Sequence, residues 1–286
     1  MQIKIKNFGK TVDRLINGQS LSRMETREAF IQILQQEQSE IHQGAFLAAI
    51  TAKGPTPREI AGAWDALYEL DTVKAHLKTP HPVLDNCGTG MDAFKTFNIS
   101  TAAALIGAAG EMALARHGAR AITSRCGTVD ICEALGVDVE CEVDLVQKSI
   151  EQNGVGIFNG MSQSVHPRAL FRILSRMSFG SILNIAASLA NPASPRYGVR
   201  GVHTREMVLP VAQTMREIGF HRALVFHGLS GNGMGGMDEL SPVDISFVAE
   251  LTPDGNIREF ELTPEKLGLS KNADLLDIAG GDHPEH

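Results

Sequence analysis

With 286 residues and 30.8 kDa, the chain has room for one large domain or two of ordinary size. Hydrophobic residues at 43% and charged residues at 21% exclude a disordered or fibrous chain, and no apolar run reaches the roughly 18 residues that a membrane helix needs. A net charge of -7, from 26 basic and 33 acidic residues, argues against a broad, sequence-independent hold on nucleic acid.

The first ten residues alternate polar and apolar and lack the apolar core of a signal peptide. Cys87, Cys126, Cys132 and Cys141 form no C-x-x-C pair, so reduced thiols in the cytoplasm are the expectation. Ser22-Arg-Met-Glu25 has the form of a capping box, its hydroxyl serving the third amide and its carboxylate returning to the cap. Ala29, Phe30, Ile33 and Leu34 follow at helical spacing. Thr56-Pro57-Arg58-Glu59 repeats the device with proline at the first helical position. Ile60, Ala63, Trp64, Leu67 and Tyr68 then make one apolar stripe, read as packing or a subunit contact.

From His81 the texture changes, and Pro82-Val83-Leu84 runs into the glycine-rich Cys87-Gly-Thr-Gly90. Short β-rich segments at 113–115, 154–158, 181–183, 198–203 and 222–227 alternate with helical ones, which predicts an α/β fold with a mainly parallel central sheet. Residues 245–251 and 257–262 flank Thr252-Pro-Asp-Gly-Asn256, a hairpin signal. The expected division is a small N-terminal helical domain at 1–75 and a larger α/β domain at 76–286.

Three segments carry chemistry. Gly88 and Gly90 let backbone amides approach an anion closely, and Asn98, Ser100 and Thr101 open an Ala-rich helix whose first amides are a ready phosphate site. Two such devices within one short stretch suggest a ligand with more than one phosphate. Arg116-His117-Gly118-Ala119-Arg120, with the hydroxyls of Thr123, Ser124 and Thr128 beyond it, suits a sugar phosphate or, equally, a basic surface loop. Asp238-Glu239 ends a glycine-rich loop; such pairs are usually just solvated, but beside a polyphosphate they suit Mg2+, which takes one or two carboxylates plus waters and phosphate oxygens.

Together these segments resemble the anthranilate phosphoribosyltransferase family, collinearly over almost the whole chain. The match runs through Leu15-Ile-Asn-Gly-Gln-Ser-Leu-Ser22, Lys53-Gly-Pro-Thr-Pro-Arg-Glu-Ile-Ala61, G-T-G-x-D at 88–92 and T-F-N-I-S-T at 96–101. It continues with the R-H-G element, Glu133-Ala-Leu-Gly136, His166-Pro167, Asn191-Pro-Ala193, His227-Gly228, Asp238-Glu-Leu-Ser241 and Leu262-Thr-Pro264. The resemblance implies a phosphorylase/phosphoribosyltransferase-like fold, a dimer through the N-terminal helices, and Mg2+-dependent transfer of the 5-phosphoribosyl group from phosphoribosyl pyrophosphate (PRPP) to the amine of anthranilate, a step of tryptophan biosynthesis. It also implies that Gly88, Thr89, Gly90, Asp92, Thr96, Asn98, Ser100, Thr101, Arg116, Ser124 and Thr128 hold PRPP, and that Asp238, Glu239 and Ser100 face the metal. Gly88, His117, Gly118 and Arg176 would meet the acceptor, Arg176 through its carboxylate.

The chain departs from the family pattern in places. Met91 replaces the last glycine of G-T-G-G-D, Ala119 the asparagine of K-H-G-N-R, and Cys126-Gly-Thr128 the family's S-G-S or S-G-G. Residues 179–189 are shortened, the loop before Asp238 is longer, and the chain ends soon after Gly281, sooner than the family norm. These changes crowd the acceptor side and leave open a paralogous transferase or phosphorylase for another aromatic or heterocyclic acceptor. A non-catalytic nucleic-acid-binding relative is a third class, against which the acidic balance and the Asp238-Glu239 pair both weigh.

Overall fold

The computed structural model describes residues 2–90, 94, 96–120, 126–177, 179–231, 235–269 and 273–281, with the side chains of 2–6 left out of that description. Four helices open it: α1 (Gln2–Ile16), α2 (Arg23–Leu34), α3 (Glu40–Lys53) and α4 (Pro57–Asp71). Both capping boxes form, Ser22 with Glu25 and Thr56 with Glu59. Glu59 is fully buried; its carboxylate also accepts from Leu21 N at 2.9 Å and Lys53 Nζ at 2.8 Å, so one side chain ties together three segments of the helical layer.

The chain then alternates strand and helix. β1 (Val83–Asn86), α5 (Ile99–Ala109), β2 (Ala113–Gly118), α6 (Thr128–Ala134), α7 (Val143–Asn153) and β3 (Val155–Asn159) build one half of the sheet. After α8 (Leu170–Leu174) and α9 (Ile182–Leu189) come β4 (Tyr197–Gly201), α10 (Val208–Glu217) and β5 (Arg222–Leu229). The short β6 (Gly236–Met237) and the hairpin of β7 (Ser246–Leu251) and β8 (Ile257–Leu262) complete it. The order is β3-β2-β1-β4-β5-β7-β8, with β6 also paired to β5. The first five strands are parallel, as helical crossovers require, and β6, β7 and β8 are antiparallel. The architecture is therefore a helical N-terminal part joined to a larger α/β part with a mostly parallel central sheet.

One expected β-rich segment is helical. Residues 181–183 begin α9, where Ser181 caps the helix by accepting from Leu183 N at 3.2 Å. A short apolar run looks alike in a buried strand and a buried helix, and here the cap decides. Helix α9 does not cover the sheet alone. It packs on α3 and α4, Trp64 Nε1 donates to Leu189 O at 2.8 Å, and one continuous apolar cluster runs from Phe30 and Leu67 through Leu183 to Val225. The stripe bearing Trp64 is thus packing within the chain, and the two parts share a core.

Candidate functional site

A cavity of about 580 Å³ opens at the carboxyl ends of β1, β2 and β3, the edge at which open α/β sheets bind ligands. Gly88, Thr89 and Gly90 follow β1 and form one wall; Asp238 and Glu239 form the facing one. The two walls touch. Gly90 N donates to Asp238 Oδ2 at 2.8 Å, and a Cβ on Gly88 would lie only 2.1 Å from that same oxygen. At Gly201, the end of β4, an added Cβ would lie 1.5 Å from the Asp238 carbonyl oxygen. Glycine at both places is what lets the acidic loop seat against the sheet edge.

Thr96, Asn98, Ser100 and Thr128 line the same cavity at the starts of α5 and α6. Asn98 stands at the N-cap of α5 without a side-chain capping bond; its Nδ2 donates instead to Cys126 Sγ at 3.6 Å. The α5 amides at this end carry partial positive charge toward the cavity. Thr101 is buried beneath the wall, and so is Arg116, whose Nη1 donates to Thr101 Oγ1 at 2.5 Å and Nη2 to Ser100 Oγ at 3.0 Å. Cys87 also faces the cavity, yet burial pushes its thiol up to about 11 and its Sγ donates to His117 O at 3.0 Å, which makes it an inert wall residue.

The other end of the cavity is apolar, with Met161, Leu170, Leu174, Met177, Phe179 and Leu183 on its wall. His117 and Gly118 stand between the two ends. Gly118 packs against Thr128, whose Cγ2 an added Cβ would meet at 2.9 Å. His117 Nε2 lies 3.1 Å from His166 Nε2, and His166 Nδ1 lies 2.6 Å from the Asp71 carbonyl oxygen. That short contact needs a proton on His166 Nδ1, so His166 Nε2 accepts and His117 Nε2 donates. Burial, and the neighbouring His166, pull His117 down to about 3, so both its position and its charge state make it a neutral, oriented ring.

Arg176 is not on this wall. It is exposed and forms an ion pair with Glu40 of α3, while its neighbours Ser175 and Met177 face the cavity. Asp92 and Ser124, both expected to hold PRPP, lie outside the described residues, as does Met91. Ala119 lines the cavity and offers it a methyl group.

Three residues of consequence escape a reading of the sequence. Asp85 in β1 is buried, with Arg200 Nη2 donating to its Oδ2 at 2.8 Å. Arg200 in β4 also donates from Nη1 to Ser188 Oγ at 2.9 Å, and Ser188 lines the cavity. Asp71, at the end of α4, accepts from the backbone N of Arg168 at 2.6 Å, Ala169 at 3.0 Å and Leu170 at 2.7 Å. A charged residue inside an apolar strand was the available signal for Asp85 and Arg200.

Among the described residues no cluster of three His, Cys, Asp or Glu side chains could hold a metal alone. Asp238 and Glu239 supply oxygen donors beside an anion-binding wall, a donor set that fits Mg2+ shared with a ligand's phosphates rather than a closed structural site.

Two family descriptions match the chain: "Glycosyl transferase family, helical bundle domain" over residues 10–70 and "Glycosyl transferase family, a/b domain" over residues 80–286. The anthranilate phosphoribosyltransferase of Methanosarcina acetivorans is 37% identical over 285 residues, 99% of this chain and 74% of that protein. That of Anaeromyxobacter dehalogenans is 35% identical over 274 residues, 95% of this chain and 77% of the relative. The crystal structure of the Thermus thermophilus anthranilate phosphoribosyltransferase matches with a TM-score of 0.83 at 34% identity, over 96% of this chain and 78% of that one. A Saccharomyces cerevisiae anthranilate phosphoribosyltransferase, solved in complex with PRPP and Mg, shares the fold with a TM-score of 0.80 at 22% identity, over 98% of this chain and 78% of that one.

Proposed function

The chain belongs to the anthranilate phosphoribosyltransferase family, and we propose that it moves the 5-phosphoribosyl group of PRPP to the amine of anthranilate and releases pyrophosphate. The observation that carries this reading is the convergence of the glycine turn, the start of α5 and the acidic pair on one cavity with an apolar end. In the reaction a C–N bond forms at the anomeric carbon, the C–O bond to pyrophosphate breaks, and the amine gives up a proton. A neutral aryl amine is already nucleophilic, so the site needs no strongly activated base. His117, neutral and weakly basic, is not such a base, and the amine's proton passes to solvent.

What these residues do is position and neutralise. Gly88 and Gly90 would leave room for the diphosphate, and the Thr89 and Ser100 hydroxyls with the start of α5 would bind it; the wall of α8 and α9 would hold the aromatic ring against His117. Asp238 and Glu239 would hold Mg2+, which when bound neutralises charge on the departing pyrophosphate. Mixing protein, PRPP, Mg2+ and anthranilate should cause anthranilate fluorescence to fall, and the fall should stop when PRPP or Mg2+ is omitted. No turnover at saturating substrates would defeat the assignment. If PRPP still bound, the acceptor would be another aromatic amine, the reading that Ala119 and the outward placement of Arg176 favour.

The same reading assigns a homodimer and a cytoplasmic setting. Ile16, Met24 and Ile41 are large apolar side chains left exposed on or beside the N-terminal helices, Ile41 to 84%, and a second copy would cover them. All four cysteines are free thiols, which suits a reducing compartment. Sedimentation equilibrium should give twice the chain mass, and Ile41→Glu should shift it to the monomer; a wild-type monomer at micromolar concentration would refute the dimer.

A further inference from the structure

We infer that Arg116 is a positioning residue for the phosphate end of the cavity, acting through the hydroxyls of Ser100 and Thr101 rather than by touching the diphosphate. The inference rests on the proposed PRPP site and changes how that site works. Arg116 is 2% exposed and stands behind the cavity wall, whereas Ser100 is on it. Its two Nη atoms reach two hydroxyls on one turn of α5, Thr101 Oγ1 at 2.5 Å and Ser100 Oγ at 3.0 Å. A guanidinium only donates, so both oxygens must accept, and each O–H proton is turned away from the arginine. For Ser100, at the cavity wall, that orientation presents a donor to a bound anion, strengthened by the charge behind it.

Sheet order sets β1 between β2 and β4, and the register turns Arg116 toward α5 while Asp85 and Arg200 share the opposite face, toward α9. Asp85 Oδ2 accepts from Arg200 Nη2 at 2.8 Å, and both guanidiniums pull against the burial that raises its carboxyl. Arg200 repeats the arrangement on the other side, donating to Ser188 Oγ at 2.9 Å. The fork geometry matters because a lysine ammonium is a compact point charge and does not reproduce a planar pair of Nη donors.

Titration calorimetry of PRPP with Mg2+ into four proteins tests this: wild type, Arg116→Lys, the Ser100→Ala/Thr101→Val pair, and all three changes together. In the wild-type background Arg116→Lys should raise the dissociation constant about tenfold, the size expected for hydrogen bonds to a charged group, while the KM for anthranilate stays unchanged. In the hydroxyl-free background the same substitution should change it less than about twofold, because the groups it acts through are gone. An equal loss in both backgrounds would mean direct contact with the diphosphate and would overturn the proposal. So would unchanged binding by the Ser100→Ala/Thr101→Val pair, a result that stands even if Arg116→Lys does not fold. A wild type that binds no PRPP with Mg2+ overturns the functional reading and this inference with it; a wild type that binds, with Arg116→Lys unaltered, overturns only the role of Arg116.

Discussion

Asp71→Ala is expected to destabilise the protein by about 3–5 kcal/mol and to raise the KM for the aromatic acceptor while leaving PRPP affinity in place. The carboxylate is fully buried and accepts three backbone amides in succession, from Arg168, Ala169 and Leu170. Alanine leaves all three donors, two of them fully buried, without their acceptor at once. These amides open α8, whose Leu170 and Leu174 form part of the apolar end of the cavity, and the Asp71 carbonyl also fixes His166. A loosened α8 therefore affects the acceptor end first. The phosphate end is built on β1, α5 and the acidic loop, none of which Asp71 touches. Asp71→Asn should fall between the two proteins. Its amide oxygen can keep the two donors that now share Oδ2, while its NH2 group would face the Arg168 amide. Urea midpoints, with KM values measured separately for the two substrates, check this. A loss below 1 kcal/mol, or a PRPP affinity that falls as far as acceptor affinity, would show that the carboxylate does not hold this wall.

Asp71 also shows why part of the site could be read from sequence and part could not. The capping boxes at Ser22 and Thr56 each need residues three apart, and the glycine turn and the start of α5 lie within 88–101; these signals are local and the fold honours them. Gly88, Thr89, Gly90, Thr96, Asn98, Ser100, Thr128, His117, Gly118, Asp238 and Glu239, singled out by motif, all face one cavity. The partners of Asp71 stand 97 to 99 positions away, and Arg200 stands 115 from Asp85. Nothing in the neighbourhood of either aspartate announces such a partner, because the sheet order that joins them is a property of the whole chain. Arg176 illustrates a second limit. It falls two residues past the end of α8 rather than on that helix, and its spacing from His166-Pro167 does not fix which way a long side chain points; Glu40 of α3 offers it an ion pair on the outer surface. Residues 181–183 illustrate a third, since an apolar triplet is compatible with strand or helix until Ser181 is seen to cap.

The buried histidine pair makes the fold acid-sensitive well above the carboxylate range. His117 titrates at about 3 in the folded protein, against 6.5 for an unhindered imidazole, and burial lowers His166 as well. Between those two values the unfolded chain binds a proton that the folded chain refuses, so stability is complete above about pH 6.5 and declines as pH falls toward 3. For His117 alone the loss between pH 7 and pH 5 comes to about 2 kcal/mol, and His166 adds to it in the same direction. Urea unfolding at the two pH values should show the difference in the midpoint. His117→Gln should shrink the gap between pH 7 and pH 5 whatever it does to stability at either, because glutamine has no proton to take up. The catalytic consequence runs in parallel: with His117 neutral throughout, activity above pH 5 should carry no inflection from this ring as long as the protein stays folded. A midpoint that does not move between pH 7 and pH 5, or a gap unchanged in His117→Gln, would mean that the ring accepts its proton in place, with the Ser188 carbonyl oxygen, 3.4 Å from its Nδ1, taking the new N–H.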